Sequence, residues 1–438
     1  MVTEQDVLNK LRQIIDPDFN RDIVSLGFVK NIKIKEDFVA CDIVLTTPAC
    51  PVRTEFQHKA EELLRTLGGI KHVNVNMSSQ TPQEKVSGDI SASTLSKVGS
   101  IIAVSSCKGG VGKSTIAAHL AQELAKRGFK VGLVDTDIYG PSVPTLFNLQ
   151  NTTVYVNEHN QLIPIEKNNL KIMSFGFLLG DAPAVLRGPM VSRYVQQILH
   201  NTAWGNLDYL FVDMPPGTGD IQLTITQSVR LSGAVIVTTR QTLSLVDVSR
   251  GILMFEKVSV PILGVIENMA YFLCDNCQKK HYIFGGAETT PLQERFGIAT
   301  LAEIPILPDL LDKIETPLKN EFIALAVDKV VMAVGKASIA KKEVPQVQFD
   351  AQHITLTWPD GEKAIVNNRE LRLSCRCAFC MDELTGQKLL DEKSIKVDIQ
   401  PKEIIPLGNY ALGIMWNDGH ASGIYPYKLI KELASVPQ

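Results

Sequence analysis

The chain has 438 residues, 45% hydrophobic and 21% charged. That balance excludes a mostly disordered chain, a collagen-like chain and a coiled-coil rod, and the length suggests about three domains. Lys and Arg total 44 against 47 Asp and Glu, a net charge of −3, so no basic excess advertises nucleic acid as a partner.

No uninterrupted apolar run reaches the roughly 18 residues that mark a membrane span, so no membrane partner is expected. The opening MVTEQDVLNKL carries acidic residues and has neither a signal-peptide layout nor the Arg/Ser-rich character of a transit segment. The expected compartment is the cytoplasm, or an organelle stroma or matrix for a mature imported form.

Residues 1–80 predict a small α+β domain. Asp16-Pro17 turns the chain after an opening helix, Phe38–Leu45 reads as a strand, and 54–67 reads as a helix. Residues 81–99 are polar and Ser-rich, and read as a linker. In residues 100–335, apolar β-branched runs alternate with helical stretches. The strands are Ile101–Ser105, Lys130–Asp135, Asp208–Asp213, Ala234–Thr239 and Ile262–Glu267. That alternation predicts an α/β domain with a buried parallel sheet and helices on both faces. Residues 336–349 form a second linker. Residues 350–438 predict a small β-rich domain, with strands at Ile354–Trp358 and Leu412–Trp416.

The sequence CKGGVGKST, residues 107–115, lies between a predicted strand and a predicted helix, as a phosphate-binding loop requires. Gly109, Gly110 and Gly112 let the backbone N–H groups, with those of Val111, Lys113, Ser114 and Thr115, close around phosphate oxygens. Lys113 is expected to reach the β- and γ-phosphates of ATP, and Ser114 to ligate Mg²⁺. The first glycine of the usual pattern is replaced by Cys107, and a second lysine, Lys108, follows it. This resembles the deviant Walker A class of P-loop NTPases, whose members dimerise over two nucleotides. In that class the extra lysine reaches the partner's phosphates, where its charge acts as an arginine finger does.

Two carboxylate stations follow. Asp213 ends the strand FVD and fits the Walker B role of holding Mg²⁺ through water. Asp137, in DTD after the second strand, is the candidate to orient the attacking water; Asp135 lies closer to that strand. The segment PPGTGD, residues 215–220, reads as a loop that senses the γ-phosphate.

Eight cysteines stand at 41, 50, 107, 274, 277, 375, 377 and 380. In a reducing compartment, close spacing points to metal or redox chemistry before disulfides. Cys274 and Cys277 form a C-x-x-C that suits a redox pair, half a zinc site or half a cluster site. Two chains about a two-fold axis would bring four thiolates to one point. Cys375, Cys377 and Cys380, with His420 forty residues on, make a Cys3His set for Zn²⁺, or for a second iron–sulfur centre.

CKGGVGKST, VDTDIYGPSVP, LRGPM, DMPPGTGD and GVIENMAYF, followed by C-x-x-C and HYIFGG, resemble the Mrp/ApbC family of iron–sulfur carrier ATPases over about residues 95–335. The resemblance implies a homodimer that holds a labile [4Fe-4S] cluster on the Cys274/Cys277 pairs, and an Asn268 that lies near the adenine. Asp275 and Gln278 stand where many members carry Pro and Gly, a departure that bears on the exposure and lifetime of the cluster. The first block, with Asp16-Pro17-Asp18 and TTPACP at 46–51, is similar to SufT/PaaD-like domains, in which the cysteine matching Cys50 is often functional. The last block resembles the N-terminal domain of γ-butyrobetaine hydroxylases, where the residues matching Cys375, Cys377, Cys380 and His420 bind zinc.

The expected function is a slow, switch-like ATP hydrolase that carries iron–sulfur clusters to apo-proteins and works with cluster-assembly proteins. One rival is a MinD/ParA-like positioning ATPase. Such a protein needs a membrane-binding amphipathic tail or a basic DNA surface, and the tail YKLIKELASVPQ reads as short and weakly amphipathic. A second rival is an ATP-driven electron-transfer reductase.

Overall fold

The computed structural model describes residues 2–17, 19–49, 52–79, 94–179, 188–217, 219–240, 242–274, 276–284, 297–307, 314, 320–339, 345–377, 380–381, 387–407, 411–420 and 423–434. Cys50, Asp275 and most of TTPACP's second half therefore lie outside the described residues or at their edge. The chain divides into two compact units, residues 1–87 with 328–339, and residues 88–327 with 340–438.

In the first unit, helix α1 (Glu4–Leu11) starts at a capping box. Thr3 accepts from the Asp6 N–H, and the Asp6 carboxylate accepts in return from the Thr3 N–H at 2.8 Å. Strands β1 (Val29–Lys35), β2 (Phe38–Leu45) and β3 (His72–Ser79) form a three-stranded sheet in that order, β1 antiparallel and β3 parallel to β2. Helix α2 (Arg53–Arg65) makes the parallel crossover. Alternate residues of β2, Val39, Cys41, Ile43 and Leu45, are buried beneath α2 residues Phe56, Ala60 and Leu64. Burial pushes the Cys41 thiol up to about 11, so this cysteine is an inert core residue.

The second unit is built on an eight-stranded sheet. In chain order its strands are β4 (Val98–Ser105), β5 (Val131–Asp135), β6 (Ile165–Lys167), β7 (Leu170–Ser174), β8 (Leu207–Asp213), β9 (Gly233–Thr238), β10 (Ile262–Glu267) and, after a hairpin described below, a strand at Thr300–Glu303. Across the sheet the order is Thr300–Glu303, β10, β9, β4, β8, β5, β7, β6, and only edge strand β6 runs antiparallel to its neighbour. Helices α3 (Lys113–Lys126), α4 (Gly188–His200), α5 (Asp220–Ser228) and α6 (Thr242–Lys257) connect the strands. The parallel core has the predicted strands. The β6–β7 edge pair was not anticipated, because its short strands are broken by Glu166, Lys167 and Asn168-Asn169, the last two at positive φ.

The sheet order decides where chemistry can occur. Strand β4 lies between β9 and β8, so the chain leaves its carboxyl end at the place where neighbouring connections go in opposite directions. That is where open α/β sheets bind ligands. Register sets Asp213 level with Asp135 on β5 and with Val104 on β4, just before the Gly-rich loop.

After the sheet comes α7 (Glu321–Ile339). The C-terminal block then forms two antiparallel three-stranded sheets: Gln346–Phe349, His353–Thr357 and Lys363–Asn367, and Pro401–Leu407, Ala411–Trp416 and Gly423–Pro426. The closing helix Tyr427–Ala434 corrects one expectation, since it is clearly amphipathic: Tyr427, Leu429 and Ile430 are buried on one face. That face belongs to this block's own core, where Tyr427 meets Trp358 edge-on at 5.9 Å and Lys431 pairs with Glu362 at 2.5 Å. Among the described residues, no helix is long and apolar enough to cross a membrane.

Candidate functional site

The Gly-rich loop leaves β4 and enters α3 through Gly110 and Gly112, at φ +79° and +81°. Gly112 is fixed twice over. Its backbone is left-handed, and a Cβ there would overlap the amide nitrogen of Asn268. That amide donates instead to the Val111 carbonyl at 2.9 Å, so buried Asn268, just past β10, braces the loop from the end of a strand two places along the same sheet. Among the described residues no side chain caps the start of α3, which leaves its first N–H groups to face a phosphate.

Lys113 is buried and forms an ion pair with the wholly buried Asp213, and it also donates to the Ser114 hydroxyl at 3.0 Å. Oδ2 of Asp213 is buried and has no hydrogen-bond partner among the described residues. A buried carboxylate oxygen with spare acceptor capacity beside a serine hydroxyl fits a hydrated Mg²⁺ ion. Burial raises the Asp213 carboxyl, and the Lys113 ammonium opposes that rise. Asp135 is pushed up to about 7, first by burial and then by the Asp213 charge.

The two acids of DTD have different surroundings. Asp135 accepts from the N–H groups of Asp137 and Val143 and from the Ser174 hydroxyl, each at 3.1 Å, and so ties β5 to β7 and to the loop between them. Asp137 is partly exposed, and its Oδ1 accepts from the Tyr139 and Gly140 N–H groups at 3.2 Å. Lys108 is half-buried, with its carbonyl held by the Ser106 hydroxyl at 2.9 Å. Thr218 and the side chain of Asp220 lie outside the described residues.

Beyond β10 the chain makes an antiparallel hairpin from β11 (Phe272–Leu273) and β12 (Lys280–His281). The two cysteines occupy its tip. The Cys274 N–H donates to the Lys279 carbonyl at 3.1 Å, the Gln278 N–H donates to the Cys274 carbonyl at 2.8 Å, and Gln278 takes φ +56° to reverse the chain. Cys274 is half-buried and Cys277 exposed. Their sulfurs and a ring nitrogen of His281 all lie within 4.8 Å of one another. The sequence signal for His281 was present in HYIFGG but carried no chemistry until the hairpin register was known.

A second unpredicted group sits between the hairpin and β10. Arg240, just past β9, donates to Glu267 at 2.7 Å and to Glu303 at 2.8 Å, and its guanidinium lies 4.8 Å over the Tyr282 ring. Tyr282 in turn meets Tyr271 edge-on at 5.9 Å. Burial raises the Glu267 carboxyl, and Arg240 pulls it back down.

In the C-terminal block, Cys375, Cys377 and Cys380 are buried together, and their sulfurs stand 3.3, 3.5 and 3.9 Å from Nε2 of His420. Tetrahedral zinc with ordinary Zn–S and Zn–N bonds places sulfur and nitrogen about 3.6 Å apart, so the four donors fit that ion. Arg372 braces the set by donating to Cys380 Sγ at 3.4 Å and to Asp418 at 2.9 Å, and Asp418 accepts the His420 N–H at 2.9 Å. Hydrogen bonds from its neighbours Cys377 and Cys380, together with burial, hold the Cys375 thiol well above its usual range. Burial disfavours charge on His420, but its bonds to the Cys377 and Cys380 thiols raise it to about 9.

Three family models match in turn: an iron–sulfur cluster assembly protein over residues 4–77, the NUBPL iron-transfer P-loop NTPase over 97–336, and the N-terminal part of γ-butyrobetaine hydroxylase-like proteins over 346–431. The chloroplastic Fe-S cluster assembly factor HCF101 of Oryza sativa subsp. japonica is 42% identical over 99% of this chain and 84% of its own. Its Arabidopsis thaliana counterpart is 42% identical over 98% and 83%. The iron–sulfur cluster carrier protein of Synechocystis is 42% identical over 70% of this chain and 88% of its own. With a phosphate loop, a paired-cysteine hairpin and a Cys3His set on one chain, and with the two assembly-factor relatives aligned along nearly all of it, the chain belongs to the NUBPL iron-transfer P-loop NTPase family.

Proposed function

We propose that the chain is an ATP-dependent iron–sulfur cluster scaffold and carrier. It works as a homodimer, holds a labile [4Fe-4S] cluster as cargo between two Cys274/Cys277 pairs, and passes it to apo-proteins. The observation that carries this reading is the shared strand: β10 leads through Asn268, which braces the phosphate loop, into the hairpin that presents both cysteines. The nucleotide and the cargo thus act on two ends of one short segment, and a dimer interface at that segment would couple them.

In this reading Gly109, Gly110, Val111, Gly112 and Thr115 wrap the phosphates with backbone N–H groups, and Lys113 exchanges Asp213 for the β- and γ-phosphates. Mg²⁺, held by Ser114 and through water by Asp213, supplies charge neutralisation on the phosphate oxygens. Asp137, the more exposed acid, positions the attacking water, and Lys108 serves the partner's nucleotide. Hydrolysis is slow and acts as a switch. The Cys3His set holds Zn²⁺ as a structural ion of the C-terminal block, a role that suits three buried thiolates and a half-buried histidine that fill all four positions.

The names of the relatives favour cluster transfer over the positioning reading, and the closing helix has its apolar face covered by its own domain. Iron, acid-labile sulfide and zinc per chain after anaerobic reconstitution test the proposal. About two irons and two sulfides per chain, lost in the C274A/C277A double variant, agree with one four-iron cluster per dimer. No iron or sulfide in the wild-type chain would overturn it.

A further inference from the structure

The hairpin holds more than two donors. Side chains on a strand alternate faces, and in this hairpin Phe272 pairs with His281 while Cys274 bonds to Lys279 across the ladder. Cys274 shares a face with Phe272, two residues before it, and His281 lies directly across from Phe272. Cys274 and His281 are therefore diagonal neighbours on one face. The reversal at Gln278 returns Cys277 to that face, which is why the two sulfurs and a His281 nitrogen gather within 4.8 Å. Two thiolates and an imidazole suit a borderline-soft divalent ion such as Fe²⁺, Zn²⁺ or Co²⁺, and three protein donors leave a fourth position open.

The geometry points to a complete mononuclear site in each single chain: Cys274, Cys277 and His281 together hold one divalent transition-metal ion, with the fourth position free for water or an incoming ligand. This rests on the carrier reading for its biological sense. A cluster shared across a dimer needs only the two thiolates of each chain. A third donor lets one hairpin keep a grip on a metal ion when the partner's thiolates are absent, as they are before the two chains close on a cargo and after they separate. The His281 side chain is exposed and, among the described residues, makes no hydrogen bond or ion pair, so its replacement disturbs no packed structure.

The test is an anaerobic titration of the full-length, metal-free chain with Co²⁺, read by visible absorption and by bound metal per chain. The wild-type chain is expected to take up two ions, one at the C-terminal Cys3His set and one at the hairpin, each with intense tetrahedral d–d bands. C274A/C277A should take up one. H281A should keep the first and bind the second at least about tenfold more weakly, the loss that follows even when only an outer partner of a metal ligand is removed. H281C, which restores a soft donor, should recover tight binding with a sulfur-shifted spectrum. Unchanged affinity and spectrum in H281A would overturn the proposal. So would uptake of half an ion per chain at the hairpin, because that means a bridging four-thiolate site. Iron and sulfide loading measured on the same proteins keeps the two ideas separable: loading that survives C274A/C277A defeats the carrier reading, whereas the Co²⁺ response to H281A decides the role of the histidine.

Discussion

The guanidinium of Arg240 stacks 4.8 Å over the ring of Tyr282 while its nitrogens bond Glu267 and Glu303. One side chain thus joins the end of β10, where Asn268 meets the phosphate loop, to the return strand of the cysteine hairpin. Arg240 and Glu267 are only 13% and 8% exposed, so breaking the pair leaves a nearly buried carboxylate without its counter-charge. R240Q is expected to cost about 3 kcal/mol, toward the low end for a buried pair because Glu303 is more open to water. E267Q/R240Q should cost less than R240Q alone, since no orphan charge remains. Urea midpoints of the three variants check this. The same R240Q chain should still bind ATP but show a smaller effect of ATP on the rate at which a chelator strips metal from the hairpin.

Lys113 and Lys108 should separate binding from turnover. K113A removes the cation that balances Asp213 and Asp135, and it should abolish nucleotide binding measured by calorimetry. K108A leaves the loop backbone intact and should bind ATP nearly as the wild type does. Its hydrolysis should fall by about a thousandfold, the lower end for a charge supplied to a transferring phosphoryl group from a partner. A K108A chain that hydrolyses ATP normally would remove Lys108 from the transition state.

The phosphate loop was legible because its chemistry is local. Glycines, Lys113 and Ser114 are sequence neighbours, and a strand before and a helix after place them in only one way. The Cys3His set was nearly as plain, since three donors fall within six residues. Its brace was not: Arg372 reaches Asp418 across 46 residues, a meeting that only the folded sheets arrange. Arg240 was silent for the same reason, with partners 27 and 63 residues away. The role of Asn268 shows a subtler limit. The family resemblance placed it near the base, but its bond to Val111 and its overlap with any side chain at position 112 emerge only once the sheet sets β10 two strands from β4, with its end beside the loop.

Metal at the Cys3His set should be a folding matter. Three buried thiols and His420 gather their donor atoms within 4.8 Å of one another, and the domain's core includes those same cysteines. Zinc removal by a strong chelator at elevated temperature should lower the melting temperature of the C-terminal block. Trp416 is the reporter: it is wholly buried and its indole N–H donates to Tyr425 at 2.9 Å, so its emission should shift to the red. C377A should mimic the chelator, and H420C should retain zinc. Hairpin variants should leave this transition where it is.

The pH dependence of stability should contain two opposed contributions that mutation can separate. Burial lowers the pKa of His200, at the end of α4, below its ordinary value of 6.5, against a backbone hydrogen bond at Ser228 that raises it. In the window below 6.5 the unfolded chain therefore binds more protons at this residue than the folded one. The stability it contributes is present above 6.5 and is lost as pH falls through the lowered folded value. Asp135 runs the other way. Its folded value of about 7 lies above the unfolded 3.8, so its contribution is full below 3.8 and declines as pH climbs through 7. H200N removes the first contribution, so urea midpoints at about pH 7.5 and about pH 5.5 should differ from the wild type in one direction only: the variant should gain relative stability at the acid end. A variant whose offset from the wild type is the same at both values would show that His200 titrates alike in the folded and unfolded chains.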